Sequence, residues 1–160
     1  NQIQSLSQSV LLNLDKDTEL ESLAIKKINS LDFIEIKKNN KKIYENKFQV
    51  NGLDSHVSKM KRYILTEEKA LLLFYYDEGY NNWRYLENIH YIYLLTYNYQ
   101  KLSDFNFQKL SIEQYQQKLP KQPFEKNIYD ISLSENNRLI IERDKIKRSY
   151  TLRENSWVQD

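Results

Sequence analysis

Two stretches in the middle of the chain constrain the fold most strongly. Residues 90–100, HYIYLLTYNYQ, alternate two sets of side chains, with four tyrosines and a leucine at the odd positions from Tyr91 to Tyr99. A period of two over this length is typical of a β-strand, because successive side chains of a strand point to opposite faces. Residues 70–76, ALLLFYY, have no polar interruption, which predicts a strand buried on both faces.

Shorter apolar runs on both sides of this region predict further strands. We expect them at residues 9–12, 20–28, 31–38, 41–48, 61–65, 128–133, 138–143 and 145–153. Asn39-Asn40 predicts a hairpin turn, because asparagine tolerates left-handed backbone. Asp77 to Asn82, DEGYNN, has the composition of a loop. Trp157 is expected to hold the end of the chain against the core.

One segment predicts a helix instead. Ser111-Ile112-Glu113-Gln114 has the spacing of a capping box, and Pro120 would end a helix at Leu119. The predicted fold class is therefore mostly β, an antiparallel meander forming a sandwich or a curled, barrel-like sheet, with one short helix. We expect residues 1–160 to form a single domain, with residues 1–9 as a frayed lead-in.

Composition excludes several classes of site. The chain has no cysteine, which removes disulfides, zinc-thiolate sites and cysteine nucleophiles. Its two glycines are too few for phosphate-cradling loops, and its net charge of +2 does not favour nucleic acid as a partner. No apolar run is long enough to span a membrane. The chain begins with Asn1, which a removed signal peptide would explain.

The histidines and one pair of carboxylates are the side chains with catalytic potential. Neither His56 nor His90 has a sequence neighbour at helical or strand spacing with which it could form a metal site or a catalytic pair. We expect both to be structural or surface residues. Asp77 and Glu78 lie near Trp83, as in a sugar site, and the competing interpretation is a solvated hairpin tip. These patterns predict no enzyme.

Tyrosines are concentrated between Tyr75 and Tyr99, where eight of the chain's 13 occur. Each buried hydroxyl needs a hydrogen-bond partner, and one sheet face cannot easily supply so many, so we expect some of these rings at the surface. Tyrosine, tryptophan and arginine are enriched in protein interfaces. The pattern predicts a partner-binding site composed of Tyr76, Asp77, Glu78, Tyr80, Trp83 and Arg84. Cross-strand packing of the tyrosines in the core is the alternative.

The stretch from Asn13 to Lys27 carries an oxygen-bearing side chain at every second position as far as Glu21. It resembles the Asp-x-Asp-x-Asp-Gly calcium loop of FG-GAP and VCBS repeats. The matching positions are Asn13, Asp15 and Asp17, the backbone carbonyl of Glu19, and Glu21. Lys16 and Thr18 replace glycines of that pattern, so the turn loses its left-handed residues. The resemblance implies an ancestral calcium loop that we expect to remain as a connector without metal.

Taken together, Asn13 to Ile25 and Tyr75 to Tyr99 are similar to small exported proteins of Gram-negative bacteria, some of which neutralise toxins delivered by competing cells. The resemblance implies a periplasmic, non-enzymatic immunity protein whose partner is a toxin. One alternative is a glycan-binding or glycan-active module that uses the Asp77–Arg84 loop. The other is a calcium-stabilised structural domain. We expect no cofactor and no nucleic-acid partner.

Overall fold

The computed structural model describes residues 2–3, 10–49, 54–81, 86–118, 129–143 and 145–160. Within these ranges the regular structure is β-strand throughout, arranged in three antiparallel sheets. The strands are β1 (Gln2–Ile3), β2 (Val10–Leu12), β3 (Glu21–Ile28), β4 (Leu31–Lys38), β5 (Lys41–Lys47), β6 (Asp54–Ile64), β7 (Lys69–Asn81), β8 (Leu86–Asn98), β9 (Ser103–Lys118), β10 (Asp130–Leu133), β11 (Leu139–Arg143), β12 (Ile146–Arg153) and β13 (Ser156–Gln159). The prediction of a mostly β, antiparallel protein is confirmed.

The first sheet has the order β2-β3-β4-β5 and is the predicted amino-terminal meander. Its two tight turns use residues with positive φ, at Asn29 and Ser30 (51° and 67°) and at Asn39 and Asn40 (53° and 61°). Both turns join strands in hairpin register, Ile28 opposite Leu31 and Lys38 opposite Lys41. The Asn39-Asn40 turn is therefore confirmed, and asparagine supplies here the left-handed backbone for which glycine is otherwise preferred.

The central sheet has the order β1-β6-β7-β8-β9. Its core is the β7–β8 ladder, which is paired without interruption from Lys69–Asn98 to Asn81–Leu86. Gln2–Ile3 pairs with β6, so these two residues of the predicted lead-in belong to the sheet. Residues 4–9 of that lead-in lie outside the described part of the chain.

Strands β7 and β8 are buried on both faces, as residues 70–76 predicted. One face packs against the first sheet and is rich in rings; we call it the aromatic face: Phe74, Tyr76, Tyr91, Tyr93 and Tyr97. The other packs against the third sheet; we call it the aliphatic face: Leu71, Leu73, Ile92 and Leu94. Two separate hydrophobic clusters therefore lie on the two sides of the central sheet.

The third sheet has the order β10-β11-β12-β13 and includes a strand, β13, that was not predicted. Trp157 of β13 is buried, and its indole Nε1–H donates to Thr96 Oγ1 over 2.9 Å. The backbone N–H and C=O of Trp157 also bond to the side-chain amide of Gln108, at 2.9 and 2.7 Å. Trp157 thus holds the chain end on the central sheet, as its position suggested.

The predicted helix from Ser111 is wrong. Residues up to Lys118 continue strand β9, whose backbone pairs with β8 at His90–Gln114 and Leu86–Lys118. The capping-box spacing is a local signal, and the ladder with β8 outweighs it because this ladder pairs backbone groups along much of β9. Leu119 and Pro120 lie outside the described residues. In the part of the chain that the structure describes, no helix is long and apolar enough to cross a membrane.

Candidate functional site

The predicted partner-binding loop is largely strand. Asp77 to Asn81 form the last part of β7, with Tyr80 opposite Glu87 on β8. The loop prediction for DEGYNN is therefore wrong over these residues, because pairing with β8 continues past the polar sequence. Trp83 and Arg84 belong to residues 82–85, which join β7 to β8 and lie outside the described residues.

The three described side chains of the predicted site do not form one surface. Tyr76 and Glu78 point toward the first sheet and are 0% and 4% exposed, whereas Asp77 between them points to the other face. Tyr91 Oη–H donates to Glu78 Oε2 over 3.5 Å. Tyr76 and Glu78 are therefore parts of the interior, and the adjacent carboxylates Asp77 and Glu78 cannot act together on one substrate as a glycosidase pair would.

Asp77 connects the two histidines. His90 Nδ1 lies 2.6 Å from Asp77 Oδ1, and His56 Nε2 lies 3.8 Å from Asp77 Oδ2. The three residues are cross-strand neighbours, because Asp77 is opposite His56 on β6 and opposite His90 on β8. The interpretation of the histidines as lacking convergent partners is therefore wrong. His90 is buried, as expected of a structural histidine, and His56 is exposed.

On the opposite face, Asp32 of β4 gathers a second polar cluster. Its Oδ2 accepts hydrogen bonds from Ser55 Oγ at 2.8 Å and from the Tyr76 hydroxyl, and its Oδ1 lies 3.1 Å from Lys27 Nζ. Lys27 Nζ also donates to Ser55 Oγ over 2.9 Å. Burial, and then the Asp32 carboxylate, raise the pKa of Tyr76 well above its ordinary value. The cluster ties the first sheet to the central sheet.

A lysine beside a serine, as Lys27 lies beside Ser55, is a pairing that some enzymes use for nucleophilic catalysis. Here the contacts of Ser55 indicate a structural role. Ser55 is 3% exposed, and its hydroxyl proton is directed to Asp32. Ser55 and His56 are consecutive on β6 and face opposite sides of the sheet, so the Asp77–His90 pair cannot serve Ser55 as a general base. The described nucleophile and base candidates are thus separated by the central sheet.

A third cluster occupies the predicted connector between β2 and β3. Carboxylate oxygens of Asp15, Asp17 and Glu21 lie within 4.8 Å of one another. The ammonium group of Lys38 contacts two of them, at 2.7 Å from Asp15 Oδ2 and also at Asp17 Oδ2. Hydrogen bonding to Lys38 lowers the pKa of Asp17, and the same two carboxylates raise the pKa of Lys38 above its ordinary value. The Lys38 ammonium group therefore offsets part of the negative charge of the three carboxylates.

Comparison with protein-family models, with curated proteins and with solved structures finds no match.

Sequence reasoning missed the Asp77 and Asp32 clusters for two different reasons. It looked for partners along the chain, whereas His56, Asp77 and His90 meet through register. If β6–β7 and β7–β8 are treated as hairpins, Asp77 falls opposite each histidine. The sequence therefore contained the information needed to predict this cluster. The Asp32–Ser55–Tyr76 cluster joins two different sheets, and no sequence spacing indicates it.

Proposed function

We propose that this chain is a non-enzymatic protein-binding protein. The support for the absence of catalysis is geometric: the described reactive groups that could pair are bonded within separate clusters, two on opposite faces of the central sheet and one beside the loop between β2 and β3. Asp77 engages His90, Asp32 engages Ser55, and Lys38 engages Asp15. A catalytic site needs such groups to converge on one accessible bond.

The observation that carries the binding proposal is that Trp83 and Arg84 fall, in the sequence, between the end of β7 and the start of β8. They belong to a four-residue connection, residues 82–85, between the two longest-paired strands of the central sheet. Binding residues are often held on a connection that a rigid scaffold positions, and tryptophan and arginine are the residue types that contribute most at interfaces. We place the contact at Tyr80, Trp83 and Arg84, which follow the buried Tyr76 and Glu78 in sequence.

The finer form of the proposal is an immunity protein that neutralises an antibacterial toxin in the periplasm. Its support is the resemblance to exported Gram-negative proteins and the absence of cysteine, which leaves no thiol to oxidise after export.

We also infer a layered sandwich and not a barrel, since each face of the central sheet contributes to its own hydrophobic cluster. The glycan-active alternative loses its pair of carboxylates, which lie on opposite faces.

The test is capture followed by affinity measurement. The immobilised protein is exposed to periplasmic extract of the producing organism and to culture supernatants of competing bacteria, and each retained protein is then purified and titrated by calorimetry. We expect Trp83→Ala and Arg84→Ala to weaken the specific complex by about tenfold or more, as at interface hot spots. A retained toxin should arrest growth when expressed in the periplasm, and co-expression of this chain should restore growth.

The matched control is Lys41→Ala, an exposed residue at the start of β5 on the first sheet. It should bind as tightly as the parent. Equal affinity for all three variants would remove residues 82–85 from the interface, and failure to retain any partner at micromolar concentration would count against a binding function. A retained protein that does not arrest growth would leave the binding function and exclude the toxin.

A further inference from the structure

The Asn13–Glu21 loop has the charge arrangement of a cation site. Asp15 and Glu21 are buried and Asp17 is exposed, and their ligand oxygens converge within 4.8 Å. Backbone hydrogen bonds hold the two aspartates in place, since Asp17 N–H donates to Asp15 Oδ1 over 3.1 Å and Glu19 N–H donates to Asp17 Oδ1 over 3.0 Å. Three carboxylates at this separation repel one another unless a positive charge lies between them.

Glu21 supplies an independent sign that the site is built for a cation. Its side chain is fully buried, and Oε1 accepts from the Leu14 backbone N–H over 2.7 Å. Oε2 is also buried and has no hydrogen-bond partner among the described residues. An unpaired buried carboxylate oxygen costs free energy and is rare in native proteins. Here it belongs to the same cluster of carboxylates that Lys38 enters.

Lys38 reaches this cluster because of strand register. The β3–β4 ladder ends at Ser22 opposite Lys37, so Lys38 follows on the side of Glu21, the residue that precedes Ser22. Its ammonium group contacts Asp15 and Asp17, and its side chain is 25% exposed. Lysine carries a compact point charge on a flexible stem, which suits it to replace a small cation between oxygens.

We propose that the Lys38 ammonium group is the resident cation of this carboxylate site and excludes a divalent metal ion from it. A calcium ion needs about six to eight oxygen ligands, and it would have to displace an ammonium already bonded to two of the three carboxylates. The backbone agrees, because neither Lys16 nor Thr18 has the positive φ that the glycines of a calcium turn supply. The loop keeps the ligands of a metal site and substitutes a side chain for the metal.

The test compares calcium binding and melting temperature in the parent and in Lys38→Met. The parent should give no calorimetric signal with calcium chloride at millimolar concentration, and neither calcium nor a chelator should change its Tm. Lys38→Met should melt lower by about 3 °C or more. Calcium should bind this variant and raise its Tm by roughly 5 °C, because a ligand that binds only the folded state stabilises it.

The matched control is Lys26→Met, which removes a lysine from the same sheet, where Lys26 pairs with Glu35 at 2.8 Å. It should acquire no response to calcium. If Lys38→Met does not fold, Lys38→Gln takes its place: it also removes the ammonium charge, so it should melt lower than the parent and bind calcium. A calcium-dependent rise in the parent's Tm would overturn the proposal. So would a Lys38→Met protein as stable as the parent, or a destabilised one that calcium does not bind.

Discussion

The two faces of the central sheet bury apolar side chains of different chemical kinds. On the aromatic face, Phe48 from the first sheet's end stacks on Tyr76 with ring centroids 4.6 Å apart and meets Tyr93 edge-on at 4.8 Å. On the aliphatic face, Leu71, Leu73 and their neighbours on β8 pack under the third sheet. The same two strands therefore present most of their buried rings to one layer and mostly branched alkyl groups to the other, with Leu72 and Leu95 on the aromatic face and Tyr75 beside the aliphatic cluster.

The comparison shows how a sheet face can bury several phenols. Tyr76 donates to Asp32, Tyr97 donates to the Leu14 carbonyl over 2.8 Å, and the Tyr93 oxygen accepts from the Gln49 backbone N–H over 3.0 Å. These three tyrosines are buried and bonded, which agrees with the alternative of core packing, and the side chains of Tyr80 and Tyr85 lie outside the described part of the chain. The first sheet and its flanking loops supply hydrogen-bond partners for these hydroxyl groups. The number of tyrosines in the sequence does not reveal partners that come from another sheet.

The largest expected effect on the aromatic face is at high pH, although burial also raises the pKa of Tyr75, which packs against the aliphatic cluster. Burial raises the pKa of both Tyr93 and Tyr97 to about 12. A phenol whose pKa is higher in the folded chain than in the unfolded chain adds stability in full below about pH 10, and this contribution is lost as the pH rises from about 10 to 12. We expect a loss of roughly 2 kcal/mol for each phenol by pH 12.

The measurement is urea unfolding between pH 9 and pH 12, with tyrosine ionisation followed by absorbance. The double variant Tyr93→Phe/Tyr97→Phe removes both phenols and should lose less stability over the same pH range, although it begins lower at neutral pH. If parent and double variant lose stability equally, the alkaline transition arises elsewhere and the hydroxyls of the aromatic face are not its cause.

The elements that could be predicted from sequence are those whose turns and alternating side chains lie close together in the chain. The β3–β4 and β4–β5 hairpins were predictable because turn residues and alternation occur together within a few residues. The second half of β9 was predicted as a helix because its sequence from Ser111 is polar, and it is a strand through its pairing with β8 and not through its own composition. The extension of β7 to Asn81 has the same origin. Long-range pairing overrode local propensity in both places.

A sharper comparison uses neighbours on one strand. Leu72 faces the first sheet and Leu73 faces the third, and both are fully buried. Because each substitution removes the same atoms from a packed core, we expect Leu72→Ala and Leu73→Ala each to lower the free energy of unfolding by about 3 kcal/mol. Urea unfolding measures both. A loss under about 1 kcal/mol for Leu73→Ala alone would mean that the third sheet packs loosely on the aliphatic face.

The candidate site was less predictable than the fold. Sequence composition pointed to Tyr76 and Glu78 as contact residues, yet both are interior, because position within a strand decides which face a residue takes. Asp77, one residue away, meets two histidines. The acidic loop was recognised from its spacing, whereas Lys38, distant in sequence and brought close by register, could not be inferred from the loop itself.

The smallest expected effect tests the polar contacts of the two faces with another adjacent pair. Tyr97→Phe removes the hydroxyl that donates to the Leu14 carbonyl, and Thr96→Val removes the oxygen that accepts from Trp157 Nε1–H. Each change leaves one buried group without its partner, so we expect a loss of about 1 kcal/mol in both variants by urea unfolding. Ser149→Ala, which removes an exposed contact with Asp160, is the control and should lower the free energy of unfolding less than either.

Equal losses of stability in Tyr97→Phe and Thr96→Val would indicate that a buried hydroxyl group is equally well bonded on both faces. A negligible loss for Tyr97→Phe would mean that water replaces the phenol at Leu14, and that the aromatic face is less dry than its packing indicates.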